Sequence, residues 1–236
     1  MTRLGGLALG VLLLGSVAHA QDRAATSGSQ GKLDKQKLSY AIGYQIGSQF
    51  AGGEPDVDLS TVQKAMADAY AKRHPAVSMQ DMHAQLERLE QQMHSSAVAE
   101  FKRLAEANAR KSAAYMAKNR KQADVVQLPS GIQYAVIEQG EGRQSPTVTS
   151  TVTVNYRGML IDGTEFDSSW AHGSPVTFQV DKVIRGWQDV LPRMHVGDRW
   201  KVVIPPQLAY GERGQLPRIG PNEALVFEIE LLDIKD

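Results

Sequence analysis

Cysteine is absent from the 236 residues. No disulfide can staple the chain, so its core must suffice by itself, and no thiol is present for a lipoprotein-type acyl anchor. Net charge is absent too: 26 Lys and Arg balance 26 Asp and Glu. Residues 32–127 carry 14 basic against 11 acidic side chains, a net of +3, and residues 128–236 carry 10 against 14, a net of −4. Neither part is polarised enough to imply a nucleic acid or a strongly anionic membrane as partner. The apolar run Leu7 to Leu14 falls short of a bilayer-spanning helix. The six histidines (His19, His74, His83, His94, His172, His195) show no metal-ligand spacing. No glycine-rich phosphate loop precedes a helix, and Ser168-Ser169 has no evident histidine partner nearby. No metal or other cofactor is therefore expected.

What is present begins with a targeting pattern. Arg3 supplies a positive start, Leu7 to Leu14 an apolar stretch, and Ala18-His19-Ala20 a small-x-small cleavage site. Residues 1–20 are expected to be a cleaved signal peptide; an uncleaved membrane anchor is the competing reading. The mature protein is then exported to the periplasm without a membrane anchor, and association with the outer membrane or cell surface is compatible with that. Residues 21–31, rich in Ser, Gly, Ala and Gln, predict a flexible mature N-terminus.

Helical periodicity follows. Leu38, Ala41, Ile42 and Ile46 share a face, with Phe50 extending it, and Gly52-Gly53-Glu54-Pro55 breaks the helix. Asp58 or Ser60 can cap a second helix whose stripe is Leu59, Val62, Met66, Ala69 and Tyr70. Ser78 with Asp81 resembles a capping box. It opens a long third helix with Met82, Leu86, Leu89, Met93, Ala97, Phe101 and Leu104 at spacings of three and four, unbroken to about Lys121. Two short helices cannot bury so long a stripe. The reading is a homodimerisation domain over 32–94, with a monomeric three-helix domain as the alternative, and a semi-rigid helical linker over 95–127.

At Leu128-Pro129-Ser130-Gly131 the period changes to two, opening a domain over 128–236. Ile132, Tyr134, Val136 and Ile137 predict one strand, and Val148, Val152, Val154 and Tyr156 another. Asp162-Gly163 forms a hairpin turn, and Val176–Val180, Arg199–Ile204 and Leu225–Ile234 complete five or six strands. One short helix, Gly186 to about Met194, interrupts them. The fold class is α+β: an N-terminal all-α region with a long linker helix, then an antiparallel sheet curled around one short helix.

Val183-Ile184-Arg185-Gly186-Trp187 joins a strand to that helix, and Asp181 can cap it. Trp187 faces either core or a pocket opening from it. Aromatic groups recur beside turns elsewhere: Tyr156 before Arg157-Gly158, Phe166 before Asp167-Ser168-Ser169, Tyr210 before Gly211, and Phe227 in the last strand. Together they can line one aromatic cavity.

The motifs Val154-Asn155-Tyr156-Arg157-Gly158, Gly163-Thr164-Glu165-Phe166-Asp167-Ser168-Ser169, Val183-Ile184-Arg185-Gly186-Trp187, Leu208-Ala209-Tyr210-Gly211 and Leu225-Val226-Phe227 resemble those of the FK506-binding-protein (FKBP) type of peptidyl-prolyl cis-trans isomerase. Leu38-Ser39-Tyr40-Ala41-Ile42-Gly43 and Gly220-Pro221-Asn222-Glu223 resemble the bacterial exported subgroup, the FkpA and macrophage-infectivity-potentiator-like proteins. The resemblance implies catalytic roles for Tyr156, Phe166, Asp167, Ile184, Trp187, Tyr210 and Phe227, and substrate contacts from Phe178, Val183, Val176 and Ile219. It implies that Trp187 floors the pocket, that the Ile184 N–H and the Tyr210 hydroxyl donate to substrate carbonyls, and that Asp167 is held partly by Tyr156. It also implies folding proteins with X-Pro bonds as partners, and macrolides of the FK506/rapamycin type as ligands. Two departures stand out: Val176 replaces a frequent Phe, and Gln215 and Arg218 replace an imidazole and an aliphatic group of the eukaryotic prototype. Both bear on sequence preference and macrolide affinity more than on activity.

The chemistry suits such residues. Rotation about X-Pro must break amide resonance, a barrier of about 18–20 kcal/mol. The twisted transition state has less charge separation than the planar amide, so a dry aromatic pocket favours it, and a thousandfold acceleration asks for only about 4 kcal/mol. No nucleophile is required. The expected function is an isomerase, with chaperone activity from a dimeric helical arm; the alternative is a holdase whose pocket only binds.

Overall fold

The computed structural model describes residues 33–52 and 55–235. The expected signal peptide and flexible mature N-terminus lie outside the described residues. The chain forms two units that part after Ala76.

The first unit holds α1 (Lys35–Ser48) and α2 (Leu59–Tyr70). Asp34 caps α1 by accepting the backbone N–H of Gln36 and Lys37, a cap the apolar periodicity alone did not disclose. Asp58 caps α2, accepting from the Thr61 N–H at 2.6 Å, while Ser60 donates to the same carboxylate. Neither helix buries a single residue. Leu38, Tyr40, Ile42, Tyr44, Leu59, Met66 and Tyr70 are all exposed.

The second unit opens with α3 (Met79–Asn119). Ser78 caps it, accepting from the Asp81 N–H at 3.0 Å and donating to the Asp81 carboxylate at 2.7 Å. Met79, Leu86, Met93, Val98, Phe101 and Leu104 are exposed. The later part of the helix differs: Asn108 and Ser112 are buried against the sheet portion. The spacer expected over 95–127 is thus docked over part of its length.

The sheet contains β1 (Val126–Gln127), β2 (Gln133–Glu138), β3 (Thr151–Leu160), β4 (Glu165–Ser168), β5 (Val176–Gln179), β6 (Arg199–Ile204) and β7 (Leu225–Lys235). The order is β1-β2-β6-β7-β3-β4, with β5 also on β3, and every pairing is antiparallel. A one-turn helix α4 (Ser169–His172) and the short α5 (Arg185–Val190) interrupt the strands. Alternation on β7 sets the two faces. Phe227, Ile229 and Leu231 join Val152, Val154, Val202, Ile204, Trp187, Val190, Leu191 and Met194 in one apolar core. Glu228 and Glu230 point the other way, to Arg157, Arg199 and Asn155. Burial works to raise the Glu228 carboxyl, but the two guanidinium groups overcome it and hold it below the usual range.

Several local expectations are corrected. Val148 is exposed and precedes β3, which starts at Thr151. The strand at Val176 ends at Gln179, because Val180 turns inward in a 3-10 turn, Val180–Lys182. Asp181 lies in that turn and pairs with Lys182 at 3.1 Å; it does not cap α5, whose N-cap is Ile184 with no side-chain cap. α5 is shorter than expected, because Pro192 follows in a second 3-10 turn, Leu191–Arg193. The hairpin forms as read, with Gly163 at φ +91 and the Leu160 N–H donating to the Thr164 carbonyl.

Candidate active site

Three rings enclose Trp187, itself only 4% exposed. Tyr156 meets it edge-on at 5.4 Å between centroids, Phe227 edge-on at 5.3 Å, and Phe178 at 5.4 Å with a 54° tilt. Phe166 meets Phe227 edge-on at 5.8 Å. Edge-to-face pairs put the positive rim of one ring against the negative face of the next. The cluster is possible because residue 158 is glycine. A Cβ there would lie 2.6 Å from Phe166 and 3.0 Å from Phe227, so the bare backbone of β3 is what the rings rest on. Register explains it: Gly158 pairs with Asp167 on β4 and with Phe227 on β7.

Asp167 stands beside the rings. Its carboxylate accepts from the Tyr156 hydroxyl at 2.5 Å and from the Ser168 N–H at 3.0 Å, and His172 Nε2 lies 3.8 Å away. Ser169 fixes the strand beneath: its Oγ accepts from the Tyr156 N–H at 2.8 Å and bonds Asn155 Oδ1 at 3.2 Å. That hydroxyl is committed to backbone and amide partners. Burial, then the hydrogen bond to Asp167, pushes the Tyr156 hydroxyl well above its ordinary pKa. Burial and the Asp167 charge also raise Tyr210. Both phenols are therefore neutral donors at physiological pH.

The turn Val183-Ile184 is held by Gln188, whose Nε2 donates to the Val183 carbonyl at 2.8 Å. The Ile184 N–H precedes the first turn of α5, where backbone donors have no partner within the helix. A Cβ at Gly186 would sit 2.4 Å from Ile204, so glycine lets α5 press on β6. Arg185 is exposed.

On the other side a small hairpin approaches. The Gln215 N–H donates to the Ile219 carbonyl at 2.8 Å, and the Ile219 N–H returns the bond at 3.0 Å. Arg218 Nη1 donates to the Phe166 carbonyl at 3.1 Å, tying the hairpin to the rim. Between them opens a cleft of about 330 Å³ lined by Phe166, Asp167, Tyr210 and Gln215 through Ile219. A second, of about 540 Å³, adjoins it at Phe166, Asp167, Pro217 and Arg218.

Of the residues singled out in the sequence, Tyr156, Phe166, Phe178, Val183, Ile184, Trp187, Tyr210, Ile219 and Phe227 fall in one packed cluster, with Asp167 bonded to Tyr156. Val176 is 37% exposed and lies outside that cluster. Leu216 and Pro217 line the cleft and were not singled out, since nothing periodic marks a hairpin tip. Another cleft of about 540 Å³, between α3 and the segment from Pro205 to Glu212, has none of these rings in its lining, although Gly211 beside Tyr210 borders it.

Residues 142–232 match the FKBP-type peptidyl-prolyl cis-trans isomerase domain, and residues 35–136 match the domain amino terminal to it. The chain is 41% identical to the peptidyl-prolyl cis-trans isomerase Mip of Coxiella burnetii, covering 95% of this chain and 94% of that protein. It is 40% identical to the outer membrane protein MIP of Legionella longbeachae, covering 93% and 94%. The crystal structure of FkpA from Escherichia coli superposes with a TM-score of 0.71 at 38% identity, covering 86% of this chain and 98% of that one. The chain belongs to the FKBP-type peptidyl-prolyl cis-trans isomerases, with the additional amino-terminal domain of the Mip and FkpA proteins.

Proposed function

We propose that the X-Pro bond is turned in the cleft where Asp167 and Tyr210 meet the aromatic cluster. The observation that carries this is the 2.5 Å bond from the Tyr156 hydroxyl, which holds the Asp167 carboxylate beside otherwise apolar rings. The proline ring rests over Trp187, Phe227 and Phe166. The Ile184 N–H and the neutral Tyr210 hydroxyl donate to peptide carbonyls on either side of the bond. Asp167 organises the mouth and faces the polar side of the peptide; no proton needs to leave it. Loss of amide resonance reduces charge separation, so the rings favour the twisted bond over the planar one.

The same reading assigns residues 128–236 to isomerisation, 32–94 to homodimerisation and 95–127 to the link between them. The exposed apolar faces of α1, α2 and early α3 support a second copy as their cover. They also support a chaperone role in which the paired helices hold unfolded chains. The leader pattern supports export to the periplasm, and the name of the Legionella longbeachae relative, an outer membrane protein, supports outer-membrane or surface association as a further step. Macrolides of the FK506 type are candidate ligands of the same rings.

Catalysis is tested on the full chain with a short X-Pro peptide. Asp167→Ala, which removes a charged hydrogen-bond acceptor, is expected to lower kcat/KM about tenfold or more. Tyr210→Phe, which removes one neutral donor, is expected to lower it about fivefold. Circular dichroism should be unchanged in both. Wild-type rates in both variants would place the site elsewhere.

A further inference from the structure

The part of α3 beyond Ala105 grips one loop of the sheet portion, and that loop is continuous with the mouth of the aromatic site. Asn108 Nδ2 donates to the Pro221 carbonyl at 3.0 Å. Ser112 Oγ donates to the Asn222 carbonyl at 3.0 Å and accepts from the Ala224 N–H at 2.8 Å. Asn222 Nδ2 reaches back to the Ala105 carbonyl at 3.4 Å. Asn108 is 6% exposed and Ser112 2%, so both depend on these partners to offset desolvation. The approach is close: a Cβ at residue 220 would lie 2.9 Å from Asn108 Nδ2, so any larger residue there would push that amide aside. Asn222 is held at φ +55, a left-handed conformation that asparagine tolerates better than most residues.

From this anchor two connections run to the site. The Asn222 N–H donates to the Gly211 carbonyl at 2.8 Å, fixing the residue after Tyr210. Gly220, whose N–H is bonded to Glu223 at 2.9 Å, continues into Ile219, which closes the hairpin with Gln215. Arg218 at that hairpin then bonds the Phe166 carbonyl. Tyr210, the hairpin and Phe166 are the walls of the 330 Å³ cleft.

We propose that Asn108 and Ser112 are positioning residues of the isomerase site. By holding Gly220–Ala224 they set the placement of Tyr210 and of the Gln215–Ile219 hairpin. The carboxyl-terminal part of the linker helix is in this sense a strut of the active site. This rests on the reading that the cleft at Asp167 and Tyr210 is where the X-Pro bond is turned. A purely structural dock would serve equally well anywhere on the sheet, and α3 has such a dock. Asn119 Nδ2 donates to Gln133 Oε1 at 2.9 Å, and Gln133 Nε2 donates to the Met116 carbonyl at 3.0 Å, both on β2 and away from the cleft.

That second dock supplies the control. Ser112→Ala, Asn108→Ala, Ser112→Thr and Asn119→Ala are made in the full chain. Each is assayed with a short X-Pro peptide at a temperature where circular dichroism shows it folded, and backbone amide shifts are recorded. Ser112→Ala and Asn108→Ala are expected to lower kcat/KM about tenfold, as misplaced groups remote from the chemistry can do, and to move the amide signals of Gly211 and Ile219. Ser112→Thr keeps the hydroxyl and is expected to stay within about twofold of wild type. Asn119→Ala is expected to keep the wild-type rate. Should Ser112→Ala fail to fold, Asn108→Ala carries the same expectation. Wild-type kcat/KM in the Ser112 and Asn108 alanine variants, or an equal fall in Asn119→Ala, overturns the proposal. Activity lost in Asp167→Ala but kept in those variants overturns only the positioning role; activity kept in Asp167→Ala and Tyr210→Phe as well overturns the site on which it rests.

Discussion

The two ends of the chain treat apolar surface in opposite ways. Among the described residues, every buried apolar side chain lies at or beyond Leu128, whereas α1 and α2 bury none. The sheet domain completes its core within one chain, because alternation on β3, β6 and β7 sends one face to α5. The two short helices carry apolar stripes that stay exposed within their own unit among the described residues. A stripe without a cover points to a second chain, and a closed core with an open cleft points to a small ligand. The division of labour proposed above follows from that contrast.

The largest effect should come from the closed end. Trp187→Ala removes a buried indole from the centre of both the ring cluster and the core. It is expected to cost about 3–5 kcal/mol, measured by urea unfolding of the sheet domain's signal. A small change would mean that the rings pack loosely and the cleft is open to its floor.

Next comes the uncovered end. Charging its stripe, as in Leu38→Glu with Ile42→Glu, is expected to weaken self-association at least about thousandfold, since several buried aliphatic side chains are lost from each interface. Sedimentation should then give a monomer at micromolar concentration. An unchanged dimer would mean that this face is not the interface, and a monomeric wild type would remove the dimer altogether.

The smallest effect concerns the outer face of the sheet. Glu228 bonds both Arg157 and Arg199. Because both arginines are partly exposed, Glu228→Gln is expected to cost only about 2 kcal/mol at neutral pH. The sign of its pH dependence is fixed by the lowered carboxyl pKa. The stabilisation is fully present above the ordinary value of 4.5 and is lost as pH falls through the folded-state value. Thermal melts should therefore converge for the two proteins in acid; a constant gap would assign the loss to packing.

Much of this was legible in the residues. Periodicity placed α1, α2 and α3, and the period change at Leu128 placed the sheet, because both signals report which side chains avoid water. The aromatic residues of the cleft were legible through their turn-adjacent motifs. What escaped has a common physical character. Asp181 has the composition of a helix cap, but a 3-10 turn intervenes and its carboxylate goes to Lys182. Gly158 and Gly186 act through the space they leave to Phe166 and Ile204, which only the fold brings near. Asn108 and Ser112 lie in a stretch whose composition reads as a solvated spacer, yet they dock through a few polar bonds to a loop more than a hundred positions later. Such contacts have no period, so no local window of sequence can carry them.

The contrast between the two ends is tested most directly by one rate. The Leu38→Glu, Ile42→Glu variant should isomerise a short X-Pro peptide with the kcat/KM of the wild-type chain, because the cleft and its core belong to one protomer. A fall as large as that of Asp167→Ala would contradict the account, and would mean that the helical arm takes part in the chemistry itself.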